Sequence, residues 1–139
     1  MLKGLPTIIS PDLLKILAEM GHGDEIVIGD SNFPSCSMGQ RVVRADGISG
    51  TDMLDAILKL IPLDTYSTEN YMLMQTTNGD PTPTIWAEYD EIANSNDKNV
   101  KKVLLERQAF YERSKKAYAI VATGETRLYA CLILRKGVL

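Results

Sequence analysis

The chain has 139 residues, of which 45% are hydrophobic and 24% charged, and its formal net charge is −3. These values are typical of one globular domain, residues 1–139, and the lack of a basic stripe argues against a nucleic-acid partner. Two cysteines and one histidine form no zinc-binding pattern, and no apolar run approaches the ~20 residues of a membrane span. With no secretory signal pattern at the N-terminus, we expect a cytoplasmic protein with reduced thiols.

The first part of the chain predicts helices and strands in alternation. Ser10 is placed to cap a first helix, and Gly21 is suited to end it. Thr51 is expected to cap a second helix that Pro62 ends, and Thr82 a third helix with proline at its first position. β-Branched and apolar runs between turn signals predict strands. They lie at residues 25–29, 41–45 and 71–75.

The last forty residues predict a strand, a helix and a closing pair of strands. Residues 100–105 indicate the strand and residues 108–116 the helix. Residues 117–122 and 127–134 are apolar and flank a turn at Gly124-Glu125, which predicts a hairpin of adjacent strands. Interleaved helices and strands favour an α/β sheet covered by helices on both faces. The closing pair makes this sheet mixed rather than purely parallel.

His22 is the first candidate for chemistry. It is the only histidine and lies between Gly21 and Gly23, just past the end of a predicted helix. A histidine side chain titrates near pH ~6.5, so it can both donate and accept a proton near neutrality. The alternative is a structural histidine whose ring interacts with the last carbonyls of the helix.

Five other polar residues each have a functional and a structural interpretation. Asp30 follows a predicted strand, where α/β sheets bind ligands, but it also fits an Asx turn. Asp64 is a weaker candidate of the same kind. Arg107 offers a planar set of donors for sugar hydroxyls, or a surface ion pair. Tyr111 and Tyr129 combine hydroxyls with flat apolar faces that suit a sugar, or are half-buried packing.

Three apolar residues are candidates for a pocket wall. Met74, Trp86 and Tyr89 lie at strand or helix spacing, which is more often the pattern of core residues. The sequence has no G-x-S-x-G elbow, and the glycines around His22 precede a strand instead of opening a phosphate-binding helix. From its residues alone, the chain is therefore an α/β domain with a candidate acid/base histidine.

Five segments together resemble the L-fucose mutarotase and D-ribose pyranase family. The resemblance covers essentially the whole chain in order, and the stretches FYERSKKAYAIVATGE and PTIWAEY are similar to the fucose branch. The segments are IISPDLLKILAEMGHGDEIVIGDSNFP (8–34), ADG (45–47), LDTY (63–66), ERQAFYERSKKAYAIVATGET (106–126) and LILRKGV (132–138).

The resemblance implies a fold, an assembly and an activity. The fold is a three-layer α/β/α sandwich with a mixed central sheet, and the chains form rings, typically homodecamers. The activity is a cofactor-free and metal-free interconversion of the α and β anomers of L-fucose or a similar monosaccharide. The alternatives are a D-ribose pyranase, which also exchanges pyranose and furanose forms, and a sugar-binding or transport-accessory protein that has lost turnover.

The resemblance also assigns roles to residues. It implies that His22 is the proton donor and that Tyr111 and Asp64 are catalytic. It implies that five residues bind the substrate: Asp30, Met74, Arg107, Tyr129 and Cys131. The family has Tyr-Gly-Asn where this chain has Tyr129-Ala130-Cys131, so a thiol that hydrogen-bonds weakly replaces an amide at the last position.

The spacing between His22 and Asp30 limits how they act together. If residues 24–29 are extended at ~3.3 Å each, the two side chains lie roughly 20 Å or more apart. They then cannot touch one small sugar within one subunit. Either the His22 loop folds back over the sheet, or two subunits complete each site.

Overall fold

The computed structural model describes residues 1–139 as helices and strands in alternation. The helices are α1 (Pro11–Glu19), α2 (Ser35–Met38), α3 (Gly50–Leu58), α4 (Ile85–Asn96) and α5 (Arg107–Lys116). The strands are β1 (Glu25–Gly29), β2 (Val42–Ala45), β3 (Tyr71–Met74), β4 (Lys102–Leu105), β5 (Ala119–Thr123) and β6 (Leu132–Arg135). None of these helices has the length and apolar character needed to cross a bilayer.

The strands form one six-stranded mixed sheet in the order β2-β5-β1-β6-β3-β4. β6 runs antiparallel to both of its neighbours, and every other pair is parallel. The sheet is therefore mixed, as predicted, but for a different reason than expected. The reversed strand β6 lies in the interior of the sheet, between β1 and β3, and both of these strands start at the edge at which β6 ends.

The predicted hairpin of residues 117–122 and 127–134 is wrong. β5 and β6 are separated by β1, and residues 127–131 are not a strand. The chain leaving β5 is held elsewhere: Gly124 N–H donates to the carbonyl of Ile48, and the Glu125 carboxylate accepts from Gly50 N–H at the start of α3. These distant contacts carry the chain away from β5 before β6 begins.

Helices cover both faces of the sheet, because consecutive strand residues point to opposite sides. Ile26 and Ile28 pack into a core with α1, α3 and α4, whereas Val27 packs with Phe110 of α5 on the other face. All three strand residues are fully buried. A strand that is buried on both faces is apolar throughout, which explains why β1 shows no alternation.

The helix starts agree only in part with the sequence predictions. Ser10 caps α1, as expected, since its hydroxyl accepts from Leu13 N–H. The predicted cap at Thr51 is wrong, because Ser49 has the extended backbone and caps α3 instead. The cap predicted at Thr82 is also wrong: α4 begins at Ile85 and has no side-chain cap.

Candidate active site

The predicted site residues divide between the two opposite edges of the sheet. The His22 edge, where β1 and β3 begin, contains His22 and Asp64. The Asp30 edge, where these strands end, contains Asp30, Met74, Arg107, Tyr111, Tyr129 and Cys131. The length of β1, about 17 Å at the usual rise, separates the two edges.

The loop before β1 does not fold back over the sheet. Gly23 N–H donates to the carbonyl of Lys136 at 2.8 Å, which anchors the loop beside the end of β6. Gly21 N–H donates to the Asp24 carboxylate at 2.7 Å. Gly23 has φ +86°, a left-handed conformation that favours glycine. The loop thus fixes His22 at its own edge.

At this edge, the His22 ring is hydrogen-bonded to Asp64. Nε2 of His22 lies 2.9 Å from Oδ1 of Asp64, and the His22 ring stands 5.2 Å from that of Tyr66. The His22 side chain is 44% exposed, whereas that of Asp64 is 2% exposed. A buried carboxylate therefore holds Nε2 of an accessible imidazole, and the alternative role of His22, a contact with the last carbonyls of α1, is not observed.

Asp64 is held as an anion. Burial by itself raises the pKa of Asp64, but hydrogen bonds from Tyr66 N–H, the His22 ring and the Arg135 guanidinium outweigh it and leave this pKa well below its usual value of 3.8. An ionised carboxylate carries no proton, so Nε2–H of His22 donates to it. This leaves Nδ1 as the ring nitrogen that is free to exchange a proton with a ligand.

At the other edge, Asp30 adopts the turn that the sequence offered as its structural role. Asp30 is buried, and its Oδ1 accepts from Asn32 N–H at 3.0 Å, which is an Asx turn. Its own N–H donates to Cys131 Sγ at 3.4 Å. Burial and the nearby Asp30 carboxylate raise the pKa of Cys131 well above its usual value, so the thiol stays protonated.

Arg107 and Tyr111 form a pair one turn apart at the start of α5. Arg107 Nε donates to the Tyr111 hydroxyl at 3.2 Å, and the guanidinium lies 5.3 Å from the ring centroid. Phe33 packs against the same ring, edge to face, at 5.8 Å. Arg107 makes no ion pair, although a surface ion pair was the structural alternative for this residue. Its guanidinium is exposed and its charge is available to a ligand.

The Tyr129 hydroxyl is held by two residues that the sequence did not single out. It accepts from Thr77 N–H at 3.2 Å and donates to the Asp80 carboxylate. Tyr129 has φ +54°, and its carbonyl accepts from Trp86 Nε1 at 2.9 Å. Thr77 and Asp80 lie between β3 and α4 in a segment with no helix or strand, and nothing local in that segment points to Tyr129.

The three candidate wall residues do not share one pocket. Met74 packs with Phe33 and Cys131 in the apolar cluster beneath the Asp30 edge. Trp86 and Tyr89 belong to the core on the opposite face of the sheet. Their polar atoms support the backbone of residues 129–130, so they shape the Asp30 edge from below.

The sequence also missed a chain of ion pairs behind Asp64. Arg135 connects Asp64 to Glu25, and Arg113 connects Glu25 to Glu69. The one local signal was Arg135 itself, a charged residue that ends the buried apolar run of β6. A polar cavity of about 510 Å³ opens beside this chain of charges.

Known proteins match this chain over nearly its full length. Residues 3–139 match the model of the RbsD / FucU transport protein family. The fucose mutarotase of Homo sapiens and the L-fucose mutarotase of Histophilus somni are each 49% identical to it, over 99% of this chain and 94% and 97% of theirs. The crystal structure of the fucose mutarotase of Streptococcus pneumoniae in complex with L-fucose has 51% identity, 99% coverage of both chains and a TM-score of 0.95. The chain belongs to the RbsD/FucU family.

Proposed function

We propose that this chain is a sugar mutarotase, an isomerase that interconverts the α and β anomers of L-fucose. The observation that carries the proposal is the match, over 99% of both chains at a TM-score of 0.95, to a fucose mutarotase solved with L-fucose. The relatives that share about half of this sequence bear the same name. Anomer exchange by acid/base chemistry requires no electron carrier and no metal.

His22 supplies the proton in this proposal. Nδ1–H of the imidazolium protonates the ring oxygen while a second group takes the proton of the anomeric hydroxyl, and the bond between C1 and the ring oxygen breaks to give the open aldehyde. Rotation about the C1–C2 bond and reversal of both transfers close the other anomer. Asp64 holds the ring through Nε2 and stabilises the imidazolium. General acid/base groups contribute ~10²–10⁴-fold to such steps.

The Asp30 edge binds the sugar. Its carboxylate, guanidinium and phenol groups pair with hydroxyls, and its apolar floor faces the 6-methyl group of fucose. The binding residues are Asp30, Arg107, Tyr129, Met74 and Cys131, the last through its backbone groups, since its thiol is buried. Tyr111 is the group that exchanges the anomeric proton, and Arg107 Nε holds its hydroxyl in place.

Each active site is shared between two subunits of a homo-oligomeric ring, with a decamer as the proposed assembly. Support comes from the separation of the two edges, since neither contains both an acid/base histidine and a sugar-binding set. A head-to-tail contact that places the His22 edge of one subunit on the Asp30 edge of the next closes into a ring. Tyr66 and Leu128, 77% and 68% exposed, flank the two edges and would be covered by such a contact.

Two further proposals concern the chain as a whole. Residues 1–139 form one domain, because every strand belongs to the same sheet. The protein works in the cytoplasm, in keeping with two cysteines, Cys36 and Cys131, that form no disulfide.

Saturation-transfer NMR of the L-fucose anomers tests the activity. We expect wild-type protein to accelerate exchange and His22→Gln to be slower by ~10²-fold or more, with exposed Lys59→Gln as the control. No exchange of L-fucose above the spontaneous rate would overturn the proposal. Exchange of D-ribose alone would identify a pyranase instead, and L-fucose binding by calorimetry without exchange would identify a sugar-binding protein.

A further inference from the structure

We propose that Arg135 is a positioning residue for His22 that acts through Asp64 and prevents this carboxylate from trapping the proton on the imidazole. The inference rests on the proposed role of His22 in anomer exchange. The sequence identified Arg135 neither as a catalytic candidate nor as a substrate-binding candidate. Its side chain makes no hydrogen bond to His22 or to the Asp30 edge.

The reversed direction of β6 brings Arg135 to this position. Arg135 is the last residue of that strand, and it ends at the edge where β1 begins. Its Nε donates to Oδ2 of Asp64 at 3.1 Å, and its Nη1 donates to Oε1 of Glu25 at 3.3 Å. The two acceptors hold the guanidinium in one orientation.

The two oxygens of Asp64 consequently face different partners. Oδ2 accepts from Arg135, whereas Oδ1 accepts from His22 and from Tyr66 N–H at 3.0 Å. A carboxylate this deeply buried rotates only by breaking one of these bonds. Arg135 therefore fixes the direction from which Asp64 meets the imidazole.

A second set of ion pairs, on the side of Arg135 away from Asp64, holds its guanidinium in place. Glu25, its register partner on β1, also accepts from Arg113 at 2.8 Å, and Arg113 donates to Glu69 at 3.0 Å. The Arg135 side chain is 33% exposed and that of Glu25 is 11% exposed. Partly buried pairs of this kind are screened less than surface pairs.

The charge of Arg135 has a second effect, on the proton of His22. A buried carboxylate with no other partner strongly stabilises an imidazolium, which would then release its proton reluctantly. Arg135 offsets part of the Asp64 charge and also repels the imidazolium. Of the charged and titratable groups, Asp64 and Tyr66 contact the His22 ring. Asp24 and Glu25 follow it on its own segment, and Arg135 and Lys136 lie at the end of β6, where the His22 loop is anchored.

The single histidine makes this proposal directly measurable. Protein labelled with ¹⁵N-histidine gives the signals of one imidazole, whose titration is followed against pH. In Arg135→Gln we expect the midpoint of that titration to rise by roughly one pH unit. We expect kcat for L-fucose exchange to fall about tenfold with KM within about twofold of wild type, because Arg135 does not touch the sugar.

Two further variants distinguish the charge and the geometry of Arg135 from a general loss of structure. Arg135→Lys keeps the charge but reaches only one of the two carboxylates, so its midpoint stays near wild type while kcat falls severalfold. Arg44→Gln removes an exposed arginine that pairs with Asp46 outside this network, and it leaves the midpoint unchanged. Thermal unfolding of each variant confirms that the fold is retained.

A wild-type midpoint and kcat in Arg135→Gln would overturn the inference, as would an Arg135→Lys midpoint that moves as far as that of Arg135→Gln. These outcomes are distinct from a failure of the proposed function. If wild-type protein does not accelerate L-fucose exchange, the mutarotase proposal fails, whereas the imidazole titration still reports whether Arg135 acts on His22.

Discussion

His22 and Asp64 lie 42 residues apart in the chain, yet Nε2 of the first is 2.9 Å from Oδ1 of the second. Asp64→Asn should therefore disturb the histidine without removing a group that reaches the sugar. An amide can donate to Nε2 and favour the wrong tautomer, with the proton on Nδ1. We expect anomer exchange to slow by ~10²-fold or more and the KM for L-fucose to change little. A substitution that left the rate intact would exclude the pair from the mechanism.

The same carboxylate makes stability depend on pH. Because the folded-state pKa of Asp64 is lowered from 3.8, its ionised form stabilises the fold above that value, and this stabilisation is lost as pH falls toward the folded-state pKa. We expect Asp64→Asn to lower the free energy of unfolding by about 1–3 kcal/mol near neutral pH. The deficit should shrink at about pH 3, as measured by urea denaturation at both pH values. Exposed Ser37→Ala, which changes no ionisable group, serves as the control and should alter the free energy of unfolding little at either pH.

Gly23→Ala tests how the His22 loop is held. An added Cβ would lie 3.3 Å from Nη2 of Arg135, and a left-handed backbone costs a non-glycine residue about 1–2 kcal/mol. Gly4→Ala carries similar backbone strain with nothing within 4 Å, so it is a matched control. We expect both variants to lose some thermal stability, and Gly23→Ala alone to lose most of its L-fucose exchange. Equal activity in the two would show that the loop tolerates displacement.

Mixed oligomers test the shared site. His22→Gln damages one edge and Asp30→Asn the other, so each variant alone should be inactive. If neighbouring subunits combine their edges, co-refolding equal amounts restores about a quarter of the wild-type exchange, because half of the subunits supply each intact edge. Separately refolded variants mixed afterwards are the control. An inactive co-refolded mixture, with mixed oligomers verified by native mass spectrometry, would mean that both edges of one subunit serve one site.

The two thiols should differ sharply in reactivity. Cys131 is 3% exposed and burial raises its pKa, so a thiol-specific reagent should leave it unmodified in the native protein. Cys36 is exposed and provides the internal comparison. Peptide mass spectrometry after labelling, with and without denaturant, measures both. Rapid native labelling of Cys131 would contradict its buried position beside Asp30.

Features of the fold that depend only on residues close together in the sequence were predictable. The Ser10 cap and the β1 strand, for example, follow from local propensity and an uninterrupted apolar run. The prediction of a closing hairpin was wrong because the path of the chain after β5 depends on Glu125, whose carboxylate accepts from Gly50 N–H, 75 residues away. No local pattern reports such a contact, and a glycine-containing turn between two apolar runs fits a hairpin equally well.

The site was predictable to a similar extent. The length of β1 alone separated His22 from Asp30, since a strand has a fixed rise per residue. The partners of Asp64 were not predictable, because they come from the loop before β1 and from the end of β6. Asp64 is a turn residue, as the sequence suggested, because its Oδ1 accepts from Tyr66 N–H. It is also a buried anion, because the fold brings the donors of His22 and Arg135 to it.

β6 sets the distance between the two functional edges. Its short length separates Cys131, which contacts Asp30, from Arg135, which contacts Asp64. Deleting one residue from this strand would turn Ile133 from one face of the sheet toward the other and displace one end from its partners. Insertions and deletions in β6 should thus be far less tolerated than the same changes in the loop of residues 76–82, although neither segment contains the acid/base histidine.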